Sequence, residues 1–473
     1  MDTAIKLNET ILRKNEIRGQ VPEDLNFKSV EIIGKSFAKY IINHSGKKPC
    51  DISISIGYDA RLHSPELSKG LTSGIISTGV NVIDLGRCPT PLVYYSAFYE
   101  QENYNAPDGT IMITGSHNPP NYNGLKMGKG KDCLKSSDIQ DLKTICPEED
   151  LITSDQSGTV VQFDMIKPYI ADLSQKFSDT VKKSTPIKIV VDSGNGCGGE
   201  VAPEILKAIG CEVVELYSNP DGTFPNHHPD PTIPKNLEEL IEKVAEHKAD
   251  LGVAYDGDVD RIGVIDNEGN IIPGDMLMLM FAMDIIKSGK YENPKFISEV
   301  KCSQVMYDVL NAQNGAEAIM WKTGHSFIKD KMKQEKALLA GEMSGHIFFA
   351  DRFYGFDDAI YATCRLVEFI AKNKKQNASF SISKYLDQYP KMYATPEIRK
   401  PCGDDVKFDV VERLKKKISE IKANHKEIKD VITIDGLRVV FNDGFGLVRA
   451  SNTEPILVLR FEASTKDTMI RNQ

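Results

Sequence analysis

The chain has 473 residues, a hydrophobic fraction of 41% and a formal net charge of -9, a length that predicts about 3–4 domains and an acidic balance that excludes a general nucleic-acid binder. No apolar run approaches the ~20 residues of a membrane span, and the start Met1-Asp2-Thr3-Ala4-Ile5-Lys6 lacks the pattern of a secretory signal. Cysteine is present without any C-x-x-C pair, which excludes a zinc ribbon, argues against a disulfide framework and points to a reducing cytoplasm.

In chain order, residues 52–56 read as a strand. Ser64-Pro65-Glu66 opens a helix to about residue 77, with Ser64 at its N-cap, and 80–85 is the next strand. The unit recurs as a strand at 187–191, a glycine-rich loop, a helix from about 201 to 208 and a strand at 213–216. A third copy runs from 296–300 through a helix near 304–310 to 318–321. Strand, helix and strand in short succession predict parallel sheets with right-handed crossovers, and active-site loops at the carboxyl ends of the strands. The Lys-, Asn- and Gln-rich segment 372–379 reads as a linker. Beyond it, a charged helix at 406–423 and strands at 431–434, 437–441, 444–449 and 456–461 predict a smaller α+β domain. The Lys/Glu runs at 238–248 and 415–426 read as solvated helix faces.

Five loops carry chemistry. Thr114-Gly115-Ser116-His117-Asn118-Pro119 follows the apolar run 111–113 and displays one serine hydroxyl, with flanks that do not fit the G-x-S-x-G elbow of hydrolases. Asp256-Gly257-Asp258-Val259-Asp260-Arg261 sets three carboxylates at alternate positions between two strands, and these cannot share a small volume without a cation. An EF-hand is excluded, because its sixth position would be Arg261 and its twelfth Asn267. So few protein ligands favour Mg²⁺, with positions left for phosphate oxygen. Gly341-Glu342-Met343-Ser344-Gly345-His346 offers groups that bond vicinal hydroxyls. Lys322-Thr323-Gly324-His325-Ser326 opens a helix whose amino terminus attracts an anion. Arg449-Ala450-Ser451-Asn452-Thr453 has the guanidinium, hydroxyls and backbone amides of a phosphate cradle. A competing motif, Gly194-Asn195-Gly196-Cys197-Gly198-Gly199, fits G-x-G-x-x-G, with Glu215 at a later strand end. Asp192 and Ser193 intervene between strand and glycines, so a structural turn is preferred to a dinucleotide site.

With Glu16-Ile17-Arg18-Gly19 and Asn121-Tyr122-Asn123-Gly124-Leu125-Lys126 these loops stand in an order that resembles the α-D-phosphohexomutase superfamily over nearly the whole chain, most closely its bacterial phosphomannomutase/phosphoglucomutase branch. The resemblance implies three similar mixed α/β domains and a C-terminal TBP-like α+β domain around a central cleft, with domains at 1–161, 162–268, 269–379 and 380–473. It implies Ser116 as a phosphoserine that also touches the metal, Asp256, Asp258 and Asp260 as ligands of one Mg²⁺ per chain, and Arg18, Lys126 and His346 in acid/base help. Glu342 and Ser344 would grip sugar hydroxyls. Arg449, Ser451, Asn452 and Thr453 would form the phosphate loop, and Arg261, Lys301 and His325 would make further substrate contacts. The implied reaction shifts a phosphoryl group between O1 and O6 of mannose or glucose phosphates through a hexose 1,6-bisphosphate, in a cytoplasmic enzyme that binds hexose phosphates, neither nucleic acid nor membrane, as a monomer or weak dimer. The competing readings are a phosphoglucosamine mutase, a metal-dependent sugar phosphatase, a dinucleotide oxidoreductase and an idle sugar-phosphate binder. Three departures from the family pattern stand out. Asn15 replaces an aromatic residue and Glu16 an aspartate. Val259 replaces a glycine, so the metal loop must avoid positive φ or carry strain. The chain also stops sooner after Phe461-Glu462-Ala463 than the family's last helix suggests, leaving the fourth domain less stable.

Overall fold

The structure, a computed structural model, describes residues 8–13, 16–145, 154–422, 425–451 and 455–473. Four sheets carry it. They fall into two compact units, one of residues up to Ile272 with Gly345–Ile347 and Phe356–Ile382, the other of Pro273–Ser344, Phe348–Gly355 and Ser383–Gln473.

The first sheet of the first unit runs in the order Ile17–Gln20, Tyr122–Lys129, Gly109–Ile113, Ser53–Tyr58, Asn81–Arg87 and Val160–Gln162, with Asp132–Cys133 paired to the second of these. Its central strands are parallel, as the strand–helix–strand pattern predicts, but Tyr122–Lys129 is antiparallel to both neighbours. Gly109–Ile113 is buried throughout, which explains why its sequence is apolar without alternation. The helices Phe27–Ser45 and Ser64–Ile76 pack together through glycines: a Cβ on Gly74 would meet the Glu31 carbonyl at 2.1 Å. Ser64 is not the N-cap expected of it. His63 takes that position without a side-chain bond, and the Ser64 hydroxyl donates to Asp59 at 2.6 Å.

The second sheet has the order Ile271–Ile272, Ile262–Asp266, Leu251–Tyr255, Lys188–Asp192, Glu212–Leu216. Leu251–Tyr255 and Ile262–Asp266 form an antiparallel pair in register from Leu251↔Asp266 to Tyr255↔Ile262, so the aspartate loop is the tip of a buried hairpin. The 194–199 glycines serve packing. A Cβ on Gly196 would lie 2.7 Å from the Gly257 carbonyl, and one on Gly199 would lie 1.9 Å from that of Ser218. Only glycine lets this turn press on the aspartate loop.

The second unit holds the third sheet, with Lys295–Glu299 between Glu317–Trp321 and Leu339–Gly341 in parallel pairing, and the fourth, an antiparallel meander of Ile428–Ile432, Leu437–Phe441, Phe445–Ala450 and Ile456–Ala463. Helix Lys407–Lys422 accompanies this meander. Two expectations fail here. The 372–379 segment is no simple linker, because helix Ala359–Gln376 runs on to Gln376 and is buried in the first unit over most of its length. Its lysines lie in the last turn, where they complement the helix dipole. A last helix is also present, Lys466–Arg471, capped by Thr465 through the Thr468 amide.

Asp358 caps helix Ala359–Gln376 by accepting from the Tyr361 amide, and Tyr169 donates to its other oxygen at 2.6 Å. Burial pushes its carboxyl up to about 7. The folded state therefore holds a proton that the unfolded chain releases near pH 4, so this group's contribution to stability falls as pH rises from about 4 to about 7. Asp358→Asn keeps the cap and removes that slope. Thermal melts of wild type and variant across this range are expected to diverge with rising pH, by on the order of 1 kcal/mol per pH unit, the variant holding its stability.

Candidate active site

Ser116 stands at the carboxyl end of Gly109–Ile113 with φ 48°. Its amide donates to Thr114 Oγ1 at 2.7 Å, and its hydroxyl donates to Asp256 Oδ2 at 3.0 Å. His117 Nδ1 lies 3.2 Å from the same hydroxyl oxygen. Desolvation, reinforced by the Arg261 and Arg18 cations, holds the His117 imidazole well below its usual range, hence neutral.

Asp256, Asp258 and Asp260 are fully buried, each with a ligand oxygen within 4.8 Å of the others. Asp256 Oδ1 accepts from the amides of Asp260 and Arg261 at 3.1 and 3.2 Å, which folds the loop onto its own first carboxylate. Asp258 Oδ2 accepts from Thr90 Oγ1 at 2.5 Å and from Lys126 Nζ at 2.6 Å, and Lys126 also donates to Asp260 Oδ2. Burial raises all three carboxyls. For Asp256, repulsion from Asp260 and Asp258 adds to burial and leaves it well above the carboxylate range. For Asp258 and Asp260 the Lys126 ammonium reverses the direction. Burial alone would discharge Lys126, but its two carboxylate partners hold it charged.

Two buried oxygens, Asp258 Oδ1 and Asp260 Oδ1, have no hydrogen-bond partner among the described residues, although buried polar atoms nearly always have one. A hard, all-oxygen donor set with unspent lone pairs fits a divalent cation such as Mg²⁺ or Ca²⁺. Val259 has φ 68° and is fully buried. The loop thus takes the strained alternative that its missing glycine implied. Strain of about 1–3 kcal/mol is offset by burial of the valine side chain, about 1.5–3 kcal/mol.

Arg18 donates to the Thr114 carbonyl at 3.0 Å and pairs with Glu16 at 2.8 Å. Glu16 thus performs a charge-pairing role that the aspartate of the pattern would also allow. Asn15 lies outside the described residues. Arg261 Nε bonds His346 Nε2 at 3.0 Å, and His346 Nδ1 lies 3.1 Å from Asp357 Oδ2. Ser116, Arg18, Lys126, Arg261, His346 and the aspartate triad therefore all belong to the first unit.

The other expected residues belong to the second unit. Lys301 is buried beside Glu397 at 3.1 Å and Glu299 at 3.4 Å. Burial lowers its ammonium and Glu299 with Glu397 raises it, for a net rise. His325 opens helix His325–Glu335, and the amide of its N-cap Gly324 donates to Glu342 Oε1 at 2.7 Å. Ser344 is half-buried. Arg449 Nε and the Thr323 amide both donate to Asp435 Oδ2 at 3.0 Å. Ser451 is buried, while Asn452 and Thr453 lie outside the described residues. The sequence reading overlooked Thr90, Asp357, Glu299, Glu397 and Asp435. Only the dense run Arg352-Phe353-Tyr354-Gly355-Phe356-Asp357-Asp358 carried a local signal.

Residues 9–152, 167–269, 273–392 and 404–471 match, in turn, the phosphoglucomutase/phosphomannomutase alpha/beta/alpha domains I, II and III and the C-terminal domain of that family. The phosphomannomutase/phosphoglucomutase of Pseudomonas aeruginosa is 40% identical over 475 residues, covering 99% of this chain and 96% of that protein. The phosphoglucomutase of Neisseria meningitidis serogroup A is 41% identical over 467 residues, covering 98% and 95%. The crystal structure of a phosphoglucomutase/phosphomannomutase family protein from Burkholderia thailandensis superposes with a TM-score of 0.88 at 37% identity, covering 99% and 96%. The chain belongs to the phosphoglucomutase/phosphomannomutase family.

Replacing Asp258 by Asn removes one carboxylate charge from the triad and one of the two carboxylate partners of Lys126. Mn²⁺ or Mg²⁺ titration by calorimetry is expected to show affinity at least about tenfold weaker, the lower end of what loss of a supporting metal contact costs. An unchanged dissociation constant would exclude the triad as the cation site.

Proposed function

We propose that the protein interconverts hexose 1-phosphates and 6-phosphates, of mannose and of glucose, by reversible phosphoryl transfer through Ser116 and a hexose 1,6-bisphosphate. One observation carries this reading: the only side-chain hydroxyl bonded to Asp256 is that of Ser116, at 3.0 Å among the described residues, so a potential phosphoryl carrier stands at the edge of a buried cation cage. The names and high coverage of the relatives support the same reading.

Asp256, Asp258 and Asp260 would hold Mg²⁺, which when bound offsets charge on phosphoryl oxygens. The remaining chemistry belongs to the chain. Phosphorylated Ser116 donates its phosphoryl group to a sugar hydroxyl, and the bisphosphate so formed returns its other phosphoryl group to the serine. Lys126, charged and gripped by two carboxylates, acts as a donor and fixed positive charge rather than as a base. His346, oriented between Arg261 and Asp357, and Arg18 at the Thr114 carbonyl serve the sugar's proton and the loop's charge. From the second unit, Glu342, Ser344 and His325 would contact the sugar, and Lys301 with Arg449, Ser451, Asn452 and Thr453 would receive its phosphate.

Intact mass after incubation with glucose 1,6-bisphosphate is expected to show one added phosphoryl group on wild type and none on Ser116→Ala. The same adduct on the alanine variant would remove Ser116 from the reaction. Chelation is expected to lower turnover by about 100-fold or more, restored by Mg²⁺, if electrostatic stabilisation at the cage is worth what single preorganised donors are worth elsewhere. Full activity in excess chelator would exclude a role for the cage in catalysis.

A further inference from the structure

Several side chains bind carbonyls of the loop that displays Ser116, and one of them, Arg61, binds four carbonyls in and just after it. Arg61 is 1% exposed. Its Nη1 donates to the carbonyls of Pro119 and Tyr122 at 2.6 and 3.0 Å, and its Nη2 to those of Ser116 and Asn118 at 2.9 and 2.6 Å. Its Nε lies 3.2 Å from Asp59 Oδ2. A guanidinium has five N–H groups in a rigid plane, and here the four on Nη1 and Nη2 bond backbone carbonyls at the serine loop, while Nε faces Asp59 as an ion pair without a hydrogen bond. Asp59 in turn accepts from the Gly115 amide at 3.0 Å and from the Arg61 amide at 3.0 Å. The guanidinium lies flat beneath Gly115, where a Cβ would sit 2.2 Å from Nε and 2.3 Å from Cζ. The ring of Phe224 covers it at 5.4 Å.

We propose that Arg61 is the positioning residue for phosphoryl transfer: by binding the carbonyls of residues 116, 118, 119 and 122 it fixes where the Ser116 oxygen stands relative to the aspartate cage. The proposal rests on the reading of Ser116 as the phosphoryl carrier. Arg61 touches neither the serine hydroxyl nor a metal-binding carboxylate. It acts through the backbone, holding the left-handed conformation of Ser116. This also gives Gly115 a reason distinct from turn formation, since any side chain there would displace the guanidinium. Lysine, a point donor with three N–H groups, cannot reproduce a planar fork that serves four carbonyls.

The test measures steady-state kinetics, single-turnover labelling from glucose 1,6-bisphosphate and Mn²⁺ affinity in Arg61→Lys, Gly115→Ala and the double variant. Misplacement of a reacting atom by about 1 Å costs on the order of 100-fold in rate. The expected result is therefore a kcat loss of about that size in each single variant, with KM and Mn²⁺ affinity within about twofold of wild type. The double variant should be no slower than the worse single one, because both substitutions remove the same contact. A kcat within about threefold of wild type in both single variants would overturn the proposal. So would parallel losses in KM and Mn²⁺ affinity, which mark a general loosening. If Arg61→Lys does not fold, Gly115→Ala, which keeps the arginine, gives the same reading. Failure of wild type to acquire a phosphoryl group would bring down the Ser116 reading and this one together. A labelled wild type with equally fast variants would bring down the role of Arg61 alone.

Discussion

Three carboxylates in one buried hairpin tip repel one another, and much of the first unit is arranged to contain that repulsion. Two unit charges about 4 Å apart interact by about 4 kcal/mol at an effective dielectric constant near 20, so three mutual repulsions would rival the whole net stability of a domain. Lys126 meets two of the carboxylates. With Arg261 Nε 3.9 Å from Asp256 Oδ2 as the other cation, the triad still carries excess negative charge, which a divalent cation would offset. Burial, with repulsion from Asp260 and Asp258, raises the carboxyl of Asp256, the member that Lys126 does not bond. The same carboxylate accepts from the Ser116 hydroxyl, so the triad and the serine are electrostatically one system.

Containment has visible structural costs. Val259 sits at positive φ within the tip, where a β-branched residue is a rare outlier. Helix Thr90–Ser96 is buried along its whole length and begins with the threonine that bonds Asp258. The 194–199 turn loses every side chain that would keep it from the Gly257 backbone. The strained backbone at Val259 is held by the packing around it, as residues in sparsely populated conformations must be.

The second unit follows a different logic. Its cations are already paired, Lys301 with Glu397 and Glu299, Arg449 with Asp435. Buried charges are tolerated only when paired. Acidic partners at these positions meet that requirement.

Much of the site was legible in local sequence because its loops are short and self-contained. D-x-D-x-D places its carboxylates at the tip of one hairpin whatever the remainder of the chain does, and an apolar run ending in T-G-S-H-N-P presents a serine at a strand end. The parallel strands at the centre of each α/β sheet were legible for the same reason. Local sequence was mute on the antiparallel placement of Tyr122–Lys129, which carries Lys126 to the triad, because pairing depends on residues distant in the chain. It misread the end of helix Ala359–Gln376, whose polar last turn resembles a linker although the helix is buried elsewhere. Arg61 escaped notice because an arginine in a Tyr58-Asp59-Ala60-Arg61 turn looks like any surface charge. Sequence by itself determined which chemical groups the protein possesses and the strands from which its loops spring. Tertiary structure alone decided which of those groups meet, since a buried charge chooses its partner by distance and desolvation, and neither is encoded within a few residues of the group itself.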